Sequence, residues 1–213
     1  MKIKSFILAA VFTVSSLMVF GQKGELASAK SNYDKFLALK EANSLLLAIP
    51  NLKTAKASID KAVVHDKTMN DATAWTYKAL IYGELALMDS VASSSQPLIT
   101  EAQNAYKKAV ELDKDGANKA NLEHANGAIF SQYELNQGVK AYQANKFPEA
   151  YTSFNNALNY RPGDTTITYY AGLSAINAKN YPAGIKRYEE LIKTNFSANH
   201  QIYMDLSRLY SMQ

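Results

Sequence analysis

Apolar and small positions recur along this chain at steps of four and three. Ala150, Phe154 and Ala157 form one such set. Gly184, Tyr188 and Leu191 form the next, 34 residues on. At the same offset Gly138 pairs with Gly172, Ala141 with Ala175, Ala144 with Ala178, and Phe147-Pro148 with Tyr181-Pro182. Steps of three and four place side chains on one face of a helix. A fixed offset across two stretches predicts a repeated unit. Similar second-helix sets occur upstream as Ala102, Tyr106, Ala109 and as Ala55, Ile59, Ala62.

Each unit reads as two antiparallel helices. A small residue on the first helix (Gly138, Gly172 or Ala79) lets the second approach, and an aromatic on the second (Phe154, Tyr188 or Tyr106) fills the space. Pro148 and Pro182 fall at helix starts, where a missing N–H costs little. Pro162-Gly163 turns the chain, and Asp164 or Thr165 can cap the helix that follows. Met88–Thr100, with three serines and a proline, reads as an inserted loop. Residues 117–132 read as an extra helix or an extension of the next one.

The predicted fold is therefore all-α: a helix-turn-helix repeat solenoid of about ten helices and no strand. Its units are 30–67, 72–115 with the inserted loop 88–100, 131–164 and 165–198, closed by a terminal helix at 199–212. These form one repeat domain over 22–213.

The pattern resembles the tetratricopeptide repeat, a 34-residue helix-turn-helix with small, aromatic, alanine and proline markers. The likeness is specific over 131–198. It extends to Trp75, Ala79 and Tyr82 followed by Ala102, Tyr106 and Ala109, and is weak over 24–67. Glu134 and Thr168 stand where the family usually has an aromatic, and Phe196 replaces the closing proline. The resemblance implies a right-handed superhelix whose first helices line a concave groove. It maps groove positions onto Leu135, Val139 and Tyr142, then Tyr169, Leu173 and Ile176, then Tyr203. These positions are apolar and aromatic, not the lysines and asparagines with which some members clamp a C-terminal carboxylate. The implied partner is thus an apolar or extended protein or peptide segment.

The N-terminus adds a location. Lys2 and Lys4 precede an apolar run from Phe6 to Phe20, then Gly21 and Gln22. That order predicts a signal peptide over 1–21, cleaved after Gly21. The run is about 15 residues, short of a membrane span, although an uncleaved anchor stays open. The expected location is the periplasm or cell envelope of a Gram-negative bacterium, or the outside medium. No stable membrane span is expected after cleavage.

Composition narrows the chemistry. Hydrophobic residues are 47% and charged residues 20%, ordinary for a folded chain. The net charge of +4 falls to about +2 without Lys2 and Lys4, which gives no electrostatic footprint for nucleic acid. There is no cysteine, hence no disulfide and no lipidated N-terminal Cys. His65, His124 and His200 lack metal-ligand spacing. Asp113-Lys114-Asp115-Gly116 lacks the later ligands of a calcium loop. Gly172-Leu173-Ser174 lies inside a predicted helix, not on a nucleophile elbow. No catalytic residue, cofactor site or metal site is predicted. The sequence therefore points to a non-catalytic interaction scaffold. The alternatives are a structural or assembly factor at the outer membrane and an accessory subunit of an envelope enzyme.

Overall fold

The computed structural model describes residues 24–211. All regular structure among them is helical. The helices are α1 (24–41), α2 (Leu45–Ala62), α3 (Ala72–Met88), α4 (Ala92–Leu112) and α5 (Lys119–His124), followed by a π-helical segment, Ala125–Phe130. Then come α6 (Ser131–Gln143), α7 (Phe147–Tyr160), α8 (Thr165–Asn177), α9 (Tyr181–Leu191) and α10 (Asn199–Tyr210). The expected signal segment 1–21 lies outside the described residues. The chain divides into two compact units, the first ending at Ala125 and the second starting at Asn126.

In the second unit, α6 and α7 are joined by a turn at Ala144-Asn145-Lys146, and α8 and α9 by one at Ala178-Lys179-Asn180. Asn145 and Lys179 have φ of 58° and 60°, the left-handed region that ends a helix sharply. The bonding is the same in both. Lys146 N–H reaches the Ala141 carbonyl at 2.9 Å, and Asn180 N–H reaches the Ala175 carbonyl at 2.8 Å. Both hairpins are antiparallel. Across α6–α7, Asn156 meets Glu134 and Phe147 meets Tyr142. Pro148 and Pro182 occupy the first turns of α7 and α9. Asp164 caps α8 by accepting from Ile167 N–H at 3.0 Å.

The two helices of each hairpin touch where a glycine faces an aromatic ring. A Cβ on Gly138 would lie 2.7 Å from Phe154, and one on Gly172 would lie 2.6 Å from Tyr188. Phe154 and Tyr188 are fully buried. Successive hairpins then stack like on like. Asn177 Nδ2 of α8 donates to Tyr142 Oη of α6 at 2.9 Å, and Arg187 Nη2 of α9 donates to Asn155 Oδ1 of α7 at 2.5 Å.

The first unit contains the same hairpin in altered form. Asn43, between α1 and α2, has φ of 54°, and Ser44 N–H bonds the Leu39 carbonyl at 2.8 Å. Ser28 pairs with Ser58 and Glu25 with Lys61, so α1 and α2 are antiparallel. Seven residues before the left-handed residue stand Phe36, Gly138 and Gly172; nine after it stand Leu52, Phe154 and Tyr188. The large side chain has moved from the second helix to the first. Tyr33 contacts Tyr77, and Lys40 bonds Glu84, each pair 44 residues apart, so α1 and α3 run side by side in one direction.

This register corrects three sequence expectations. The central set on α2 is Ala48, Leu52 and Ala55, two turns earlier than Ala55, Ile59 and Ala62; all five residues are buried. On α4 the matching buried set is Ser95, Ile99 and Ala102, each 47 residues on from its α2 counterpart. Tyr106 is half-buried, whereas Ile99 is fully buried and takes the central place. The expected loop 88–100 is confined to Asp89–Val91, because α4 starts at Ala92. The three serines lie in or next to the first turn, where orphan N–H groups make polar side chains harmless. Pro97 is the sixth residue of α4, so it forfeits only the bond to the Ser93 carbonyl. Pro50 occupies the same sixth place in α2. Residues 117–132, expected as an extra helix or an extension of the next one, hold α5 and the π-helical segment, which lead without a break into α6.

Candidate functional site

The residues that the resemblance maps to a groove lie on α6, α8 and α10. Val139 is 39% exposed and Tyr203 54% exposed. The other five are half-buried. Leu135 and Tyr142 pack against the cluster formed by Ala150, Phe154, Leu158 and Ile167. Tyr142 also meets Phe147 edge-on at 5.4 Å and accepts the Asn177 hydrogen bond. Tyr169 stacks almost parallel on Tyr188, 6.1 Å between centroids at 3°, and touches Phe196 at 5.5 Å. Burial pushes the Tyr169 and Tyr188 hydroxyls up from their ordinary values. Ile176 packs with Tyr169 against the α9–α10 cluster. Thus Tyr142 and Tyr169 hold hairpins together, and Val139 and Tyr203 present apolar surface to solvent.

Sequence reasoning passed over several residues on and beside this face. Tyr170 is exposed yet stacked on Phe154, 5.8 Å away at 27°. Asn155, Asn177 and Arg187 carry the bonds between successive hairpins. Their separations of 32 and 35 residues, close to the repeat length, were the available signal. Glu134, at a place where the family has an aromatic, bonds Asn156 and has its pKa raised by burial.

The first unit holds a separate set of charges. Glu84 is buried and takes both carboxylate contacts from Lys40, at 2.9 and 2.7 Å. Lys78 is buried between the Trp75 and Tyr82 rings, 5.4 and 5.3 Å from their centroids, and pairs with Glu101 at 2.5 Å. Tyr82 Oη donates to Asp60 at 2.6 Å. These groups satisfy one another, which is the condition for burying charge. Among the described residues no group of three or more His, Asp and Glu side chains could hold a metal ion. No helix among them is long and apolar enough to cross a membrane. No protein-family model matches the chain, and neither curated proteins nor solved structures yield a match.

Proposed function

We propose that the chain is a non-catalytic interaction scaffold of the tetratricopeptide type, exported to the bacterial cell envelope. It binds a protein or peptide partner on the face made by the first helices α6, α8 and α10. The observation that carries this reading is the recurrence of one hairpin. The same left-handed turn stands at Asn43, Asn145 and Lys179, with the same contact position seven residues before and nine after. Stacked copies of one hairpin repeat a surface at regular intervals, and such surfaces suit extended partners. Export rests on the basic start and apolar run of residues 2–20.

Val139 and Leu173 are the residues to change, because Tyr142 and Tyr169 also serve packing. The test is affinity capture with residues 22–213 as bait, comparing the natural sequence with Val139→Glu plus Leu173→Gln. Loss of one stoichiometric partner, at an unchanged melting temperature, supports the assignment. Undiminished capture by the double variant, or turnover of a substrate by the purified chain, defeats it.

A further inference from the structure

One end of the first unit carries apolar side chains that the hairpins do not use. Helices α1 and α3 run in one direction, and α2 and α4 return along them, so the turns at 42–44 and 89–91 lie at the same end. Leu45, Leu46 and Leu47, the opening residues of α2, are 45%, 86% and 65% exposed there, and Val91 before α4 is 56% exposed. No charged residue stands over 42–52 or over 90–100; Glu41, Lys53, Asp89 and Glu101 bound these stretches. Helix α1 starts at residue 24, about 27 Å away at 1.5 Å per residue, so the chain enters the unit at the opposite end.

The other hairpins show that leucine is not required at these places. On α4 the residues 47 places after Leu45, Leu46 and Leu47 are Ala92, Ser93 and Ser94. Counted from the left-handed turn residue, Leu46 and Leu47 match Pro148 and Glu149 of α7, and Pro182 and Ala183 of α9. Leu45 alone matches an aromatic, Phe147 or Tyr181, and Phe147 packs on Tyr142. Leu46 and Leu47 therefore expose apolar area that the hairpin does not need, which is the mark of a contact surface.

Two features select the occupant. Successive helical residues diverge by about 100°, so three adjacent leucines fan over roughly half of the helix circumference. A groove on a folded partner grips one face of a helix, whereas the fluid interior of a lipid layer accepts side chains in every direction. The second feature is the sense of the helices. The N-termini of α2 and α4 both open on this end, and their N-cap residues, Ser44 and Val91, supply no side-chain oxygen to the first turns. The partial positive charge there suits the phosphate and ester oxygens of phospholipid, and it disfavours a second copy that presents the same end. We propose that this end of the first unit docks on a phospholipid surface. Leu46 and Leu47 enter the acyl boundary, and Ser44, Ser93 and Ser94 lie among the headgroups. The inference uses no residue of the face proposed above.

The test is flotation of residues 22–213 with vesicles of phosphatidylethanolamine and phosphatidylglycerol. The expected result is co-flotation that Leu46→Ser plus Leu47→Ser, which copies the start of α4, weakens at least about tenfold, because two leucine side chains lose their transfer into the acyl region. The melting temperature of this double variant stays unchanged, and Val139→Glu floats as the natural sequence does. Leu46→Trp gains a fluorescence component that shifts to the blue when the same vesicles are added. Failure to float, equal flotation by the double serine variant, or the absence of a blue shift overturns the proposal. So does an oligomer in solution that the double variant disperses, because a second copy would then be the occupant.

Discussion

The first and second units solve the same packing problem with opposite placements of bulk. In the second unit, Gly138 and Gly172 on first helices receive Phe154 and Tyr188 from second helices. In the first unit, Phe36 stands where the glycines stand, and Leu52 takes the aromatic's place. The first unit also uses longer helices: α2, α3 and α4 have 18, 17 and 21 residues, against 13, 14, 13 and 11 for α6 to α9. The first unit also buries one partner in each of two ion pairs, Glu84 with Lys40 and Lys78 with Glu101. The comparison teaches that the turn and the register define this hairpin. The identity of the large residue does not.

The comparison breaks most readily at the glycine contacts. Phe154→Ala should cost about 3–5 kcal/mol in denaturant unfolding, since it empties a fully buried site. Glycine-to-alanine changes come next. Gly138→Ala places a methyl 2.7 Å from a ring that is buried on all sides, and should cost about 1–3 kcal/mol as overpacking. Adding Phe154→Leu to Gly138→Ala moves the hairpin toward the first-unit solution and should recover part of that loss. A double variant worse than the sum of the singles would show that bulk cannot be traded across this contact.

In the first unit the sensitive element is charge. Lys40→Met leaves the Glu84 carboxylate buried without its cation and should cost about 1–3 kcal/mol. Glu84→Gln in the same background should restore most of it. The smallest effect concerns Glu134. Burial raises its pKa, so the folded state holds its proton more tightly than the unfolded chain does. Its contribution is fully present below the unfolded value and is lost as pH rises through the folded one. Glu134→Gln should therefore slightly raise the melting temperature at pH 7 and leave it unchanged near pH 3.

The second unit was largely legible in the sequence because its markers are local. Prolines sit in the first turns of α7 and α9, and glycine and aromatic recur at one offset. The first unit hid the same hairpin for two physical reasons. Its large residue lies on the first helix, so the search for a large side chain flanked by alanines on the second settled two turns too late, at Ile59 on α2 and at Tyr106 on α4. Its prolines, Pro50 and Pro97, lie one turn inside their helices, and serines in the opening turn of α4 look like loop. The candidate face was half legible. The family resemblance mapped the row Leu135, Val139, Tyr142 and its copies, but such a mapping cannot say what covers a row. The packing of Tyr142 on Phe147 and of Tyr169 on Tyr188 emerges only from the neighbouring helices.

The central claim is that one turn recurs at Asn43, Asn145 and Lys179 and not between α3 and α4. Glycine tolerates a left-handed backbone that costs an L-residue roughly 1–2 kcal/mol, and it weakens an extended or helical one. The direct measurement is the unfolding free energy of Gly and Ala variants at positions 43, 145, 179 and 90. The account predicts that Gly is more stable than Ala by about 1 kcal/mol at the first three, and that Ala equals or exceeds Gly at Ser90. Ala matching or exceeding Gly at any of positions 43, 145 or 179 would contradict it.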